Sequence, residues 1–166
     1  MNHYAFFDIH SHLHDKAFHE DRDTVVKEMK DYGVGTIVVG TDIKESNAAI
    51  ALAEKYDHIY ATIGLHPADD PTEIFDVEKY TKLAEHKKVV AIGECGLDYF
   101  RLEGDASAEK IRQKEVFEKQ IALAVAVDKP LMLHGRPSKG SMDAYEDMLH
   151  ILESMKKVYG LKLRGN

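Results

Sequence analysis

Two kinds of apolar patterning alternate along the chain. Short apolar runs, several of them β-branched, fall at residues 4–9, 36–39, 59–64, 89–93 and 130–133, and each predicts a strand. Between them lie segments whose apolar residues return every three or four positions, which is helical spacing. These predict helices over 21–32, 45–56, 76–85, 107–127 and 142–158. In the first, Val25, Val26 and Met29 share a side and Gly33 stands just past the end. In the fourth, Ile111, Phe117, Ile121 and Ala124 recur, and in the fifth Tyr145, Met148, Leu149, Leu152 and Met155 form the inner stripe. Residues 161–163 are placed to begin a sixth strand.

Strict alternation of strand and helix calls for a parallel sheet covered by helices. The strands either close into a barrel or stay open in a doubly wound sheet. No Gly-x-Gly-x-x-Gly turn follows the first strand, which weakens a dinucleotide-binding reading. There is no fixed-period repeat and no low-complexity linker, and 166 residues make at most one ordinary domain.

Composition narrows the partners. A net charge of −7 argues against a protein that coats DNA without regard to sequence, which needs a strong positive field. It leaves room for an enzyme that grips a phosphate locally. A single cysteine, Cys95, excludes an internal disulfide and suits a reducing compartment. The N-terminus shows no signal-peptide pattern and no apolar run is long enough to cross a bilayer, so a cytoplasmic location with no membrane partner is expected.

The strand ends carry the chemistry. The first run closes on Asp8, His10 and His12, which share one face if the extended conformation persists. Two imidazoles at that spacing can bind one metal ion, with a carboxylate orienting a ring from behind. A polar strand end with two solvated histidines has about even odds on this pair alone. The fourth strand runs into Glu94, a costly carboxylate to bury unless paired or metal-bound. The fifth ends in His134 and the third in His66, each more often a satisfied core histidine when met alone. Together, four of five strands end in His or Glu at one sheet edge, where parallel α/β folds place their chemistry. Nitrogen and oxygen donors without thiolate suit magnesium, manganese, zinc, iron or nickel. Cys95 alternates to the opposite side of Glu94 and reads as a small buried hydrophobe.

The segments FDIHSHLHD, IGLHPAD, AIGECGLDYFR and LMLHGR, in this order and spacing, resemble the TatD family of metal-dependent deoxyribonucleases, within the amidohydrolase-like barrel hydrolases. The helix KIRQKEVFEKQIALA, with Gln113, Phe117 and Gln120, is similar to the family's segment at that place. The resemblance implies a TIM (β/α)₈-barrel type of fold and hydrolysis of DNA phosphodiesters through two divalent cations and a water they activate. It implies that His10 and His12 hold the first metal, that Glu94 bridges two metals, and that His134 binds the second. It places His66 near the substrate phosphate, with Arg136 and Tyr99 as further substrate contacts, and Asp8 and Asp98 behind the ligands.

A full barrel of this type needs roughly 250 residues, with a floor near 200. These 166 residues therefore correspond to about five to six βα units, and later metal-binding residues of the family are not in them. The expectation is a fragment of a longer protein, a chain completed by a second chain or further segment, or a natural truncation. Weak or no turnover by this chain alone follows. Two alternatives stay open: a related hydrolase of an amide, ester or lactone, and a non-catalytic metal-binding fragment.

Overall fold

The computed structural model describes residues 4–69, 72–102 and 106–166. Five parallel strands form one sheet: β1 (Phe6–Ser11), β2 (Val34–Val39), β3 (Ile59–Ile63), β4 (Val89–Asp98) and β5 (Leu131–Arg136). The connecting helices are α1 (Arg22–Asp31), α2 (Ile43–Lys55), α3 (Val77–Ala84) and α4 (Ala106–Ala126), and α5 (Asp143–Tyr159) follows β5. The spatial order is β1-β2-β3-β4-β5, the same as the chain order. A doubly wound sheet reverses direction at a switch point, whereas a barrel adds each strand beside the last. The order found is that of a barrel wall, and the five strands curl into half of one.

α2 and α3 start where an aspartate side chain can satisfy their free amides. Asp42 accepts from the Glu45 amide at 2.6 Å, and Asp76 from the Lys79 amide at 3.1 Å. The main core lies between helices and sheet, where Ile50, Tyr80, Phe117 and Ile121 meet Ile59, Ile63, Ile92 and Leu97. Burial of large apolar side chains in this layer supplies the main stabilisation, at roughly 25 cal/mol per Å² of apolar area removed from water.

The structure departs from the sequence pattern in three places. β4 runs to Asp98, five residues beyond the predicted stop at 93. The segment expected to open a sixth strand at 161–163 instead forms a short 3₁₀ turn, Gly160–Lys162, and pairing with β5 begins at Gly165. Three residues of a tight turn bring the chain back to the sheet before it can extend. Finally, Ile111 and Leu149, read as inward-facing, are each 59% exposed. Leu149 borders an apolar groove with Leu131, Leu133 and Leu152, on the side of β5 away from β4.

Candidate metal centre

The C-terminal ends of the strands gather the predicted residues at one rim. β1 delivers His10 and, just past its end, His12, with ring centroids 5.2 Å apart. The loop that follows is held by Arg22, whose guanidinium donates to the carbonyls of Leu13, His14 and Asp15 at 2.6, 3.0 and 2.9 Å. β4 delivers Glu94 and β5 delivers His134. His10 Nε2 lies 3.5 Å from Glu94 Oε2, and His134 Nδ1 lies 3.0 Å from Glu94 Oε1. The two oxygens of one carboxylate thus face histidines from opposite sides of the half-barrel.

Glycine makes this approach possible. Gly96 has a φ of +144°, and a Cβ there would stand 2.0 Å from the His134 carbonyl oxygen. Only a residue without a side chain lets β4 close on β5 at this level. Because β4 continues to Asp98, Glu94 and Asp98 lie on one face of the same strand. Asp98 is fully buried, and its Oδ2 sits 3.2 Å from His134 Nε2.

Two buried glutamines on α4, two helical turns apart, fix the strand ends. Gln113 Oε1 accepts from the Asp98 amide at 2.8 Å and its Nε2 donates to the Asp98 carbonyl at 3.0 Å. Gln120 treats Leu65 the same way, at 2.9 Å for both bonds. Leu65 precedes His66, so one helix sets the height of both His66 and Asp98. The His66 amide donates to the Thr41 carbonyl at 2.7 Å, and the Glu94 amide to that of Gly40 at 3.0 Å, tying the rim to the end of β2.

Electrostatics follow the geometry. Burial alone pushes the Glu94 carboxyl up, but hydrogen bonds from His10 and His134 reverse this and hold it well below the usual range. The hydrogen bond to Glu94 raises His10 despite partial burial. Burial lowers His14, whose Nε2 faces Glu45 at 3.1 Å.

The residues fit a cation. One donor atom from each of His10, His12 and Glu94 lies within 4.8 Å of the others, and the same holds for His66, Asp98 and His134. His134 faces Glu94 with one nitrogen and Asp98 with the other. A neutral imidazole has one N–H and can satisfy one of the two. The remaining contact sets a lone pair against a carboxylate, an arrangement that positive charge resolves.

The other predicted residues occupy different places. His66 is buried, its ring centroid 4.3 Å from that of His134. Asp8 accepts the His10 backbone amide at 3.0 Å instead of supporting an imidazole. Arg136 lays its guanidinium 4.1 Å over the Phe100 ring. Tyr99 is packed inward: its hydroxyl donates to Asp147 on α5 at 2.9 Å and Lys110 covers its ring. Cys95 is fully buried, and burial raises its thiol, as expected of an inert core residue. Sequence reasoning missed Arg22 and Asp69. It quoted Gln113 and Gln120 without a role, although two glutamines seven residues apart on an apolar helix face signal buried polar contacts.

A family model described as TatD related DNase matches residues 7–163. The chain belongs to the TatD-related DNase family. It is 44% identical over 150 residues to the uncharacterized metal-dependent hydrolase YabD of Bacillus subtilis, covering 89% of this chain and 54% of that protein. It is 36% identical over 149 residues to the 3'-5' ssDNA/RNA exonuclease TatD of Escherichia coli K12, with the same coverage. The crystal structure of YjjV, a TatD homolog from Escherichia coli, superposes with a TM-score of 0.75 at 31% identity, covering 90% of this chain and 55% of that one. The chain therefore spans about half the length of the TatD-family relatives it matches. The five-stranded half-barrel superposes on about half of the fold of these relatives. Among the described residues no helix is long and apolar enough to cross a membrane.

Proposed function

We propose that this rim serves hydrolysis of phosphodiester bonds in single-stranded nucleic acid, DNA foremost, with divalent cations held by His10, His12, Glu94 and His134. The observation that carries it is the placement of His10 and His134 on the two oxygens of Glu94, at 3.5 and 3.0 Å. The similarity to the TatD exonuclease of Escherichia coli supports the substrate class. When bound, such cations lower the pKa of a water and neutralise charge on the phosphate.

The chain's own groups do the rest. Glu94 is kept ionised by its histidines, so it offers negative charge to cations at neutral pH. Arg136, braced on Phe100, supplies a guanidinium for a phosphate oxygen. Asp8 and the Arg22-bound loop fix the backbone on which His10 and His12 stand. The acidic net charge of −7 suits a cleft that takes a strand end through cations better than one that holds a long duplex. A cytoplasmic setting fits this substrate and a chain with one cysteine. Further polypeptide would cover the exposed β1 and the groove beside β5, and turnover by these residues alone is expected to be slow.

The test is incubation of the chain with a fluorescent single-stranded oligonucleotide in Mn²⁺ or Mg²⁺. The expected result is slow shortening that stops on chelation and in Glu94→Gln. Cleavage of an amide or lactone with the oligonucleotide left intact overturns the substrate assignment.

A further inference from the structure

Phe100 stands just past the end of β4 and is 52% exposed. A single exposed apolar side chain means little by itself. This one has the Arg136 guanidinium over its ring at 4.1 Å. Of the three cation–ring pairs among the described residues, it is the one whose ring is exposed. Tyr99 under Lys110 is buried, and Tyr60 beside Lys88 is half-buried. The guanidinium covers one face of Phe100, and the opposite face is left to solvent.

The pair is built into the rim. Asp98 is opposite Arg136 in the β4–β5 register, and the Tyr99 amide donates to the Arg136 carbonyl at 2.7 Å. Arg136 lies two residues past His134 on β5, so the two side chains share a face. The Phe100 amide donates to Asp98 Oδ1 at 3.0 Å, which fixes the turn that carries the ring. Tyr99 is locked inward by its hydroxyl bond to Asp147, and the Ser138 hydroxyl donates to its carbonyl at 3.4 Å. Phe100 is therefore held outward by a braced backbone. The neighbouring charges are already spent. Arg101 is drawn to Asp69 and Asp98 at 3.4 Å each, and Asp69 also lies 3.0 Å from His66 Nδ1. Arg136 has no carboxylate partner among the described residues, in a chain of net charge −7.

We propose that the open face of Phe100 is a nucleobase subsite, on which the base of a strand-end nucleotide stacks while Arg136 holds that nucleotide's phosphate. This rests on the reading that the rim takes a single strand of nucleic acid, and it names the contact that recognises an unpaired base. An aromatic face stacks on any of the bases, so the subsite selects the presence of a base and not its identity. Bases inside a duplex are already stacked on both faces and cannot be offered to it. A guanidinium over a ring keeps N–H groups at its edge, and that edge suits phosphate oxygens. Ring and cation thus present, side by side, the complements of the two parts of one nucleotide.

The experiment is fluorescence anisotropy of the chain in Mn²⁺ with two single-stranded phosphorothioate oligonucleotides, which resist cleavage. One is complete, and the other lacks the bases at both ends while keeping every phosphate. The expected result is about tenfold tighter binding of the complete strand. Phe100→Ala, with folding checked by circular dichroism, binds both strands at the weaker level, and Phe100→Trp restores the difference. Arg136→Ala weakens both strands, because both carry the phosphates. Equal binding of the two strands by the unaltered chain, or a difference that survives in Phe100→Ala, overturns the subsite and leaves the rim as a strand-binding site. Failure of the unaltered chain to bind either strand overturns both.

Discussion

β1 and β4 supply donors to the same rim from opposite circumstances. β4 is buried at nine of its ten positions and flanked by β3 and β5, with α4 packed on it. β1 pairs only with β2, and Phe6, Phe7 and Ile9 remain 73%, 40% and 49% exposed. Glu94 and Asp98 are consequently set in a rigid wall, whereas His10 and His12 ride on a strand whose apolar side chains contribute little burial. The site pairs acids held by the core with imidazoles held mainly by the loop contacts of Arg22.

This contrast can be broken experimentally. Phe117→Ala, under β4 in the core, is expected to cost about 3–5 kcal/mol by urea denaturation. Gln120→Ala strips the buried Leu65 amide and carbonyl of their partner and is expected to cost about 1–3 kcal/mol by the same measurement. A cost no larger than that of a surface change would show that α4 does not fix the strand ends. Asp143 sharpens the picture at the start of α5. Burial pushes its carboxyl up, but Lys110, Ser138 and the Ala144 amide hold it well below the usual range. A depressed native pKa contributes stability above the unfolded value of about 3.9, and that contribution disappears as pH falls through and below it. Asp143→Asn should therefore lose about 1 kcal/mol at neutral pH and show a flatter acid limb in pH-dependent melting. An unchanged limb would rule out that role. The smallest effect is expected of Phe6→Ala on β1, under about 0.5 kcal/mol. A cost near that of Phe117→Ala would mean that β1 is covered in solution.

The elements were legible because each strand ends in a change of periodicity: the five main strands and five helices are found where expected, whereas the sixth strand expected at 161–163 is a 3₁₀ turn. The His10, His12, Glu94 and His134 cluster was legible because one parity and one sheet edge placed them together. Asp98 was placed only behind the ligands, and the strand was expected to stop at 93, whereas Gly93 and Gly96 permit close approach of β4 to β5 and β4 continues to Asp98. Asp69 and the roles of Gln113 and Gln120 depend on contacts between distant segments, which periodicity does not encode. The exposure of Leu149 and Phe6 was likewise hidden, because pattern shows which face is apolar and not whether anything covers it.

The central claim is that residues remote in sequence share an ion at this rim. Anomalous scattering from crystals soaked in Mn²⁺ tests it most directly. The account predicts a peak within ligand distance of His10, His12 and Glu94 together. Manganese bound elsewhere on the protein, with no density among those three side chains, would contradict it.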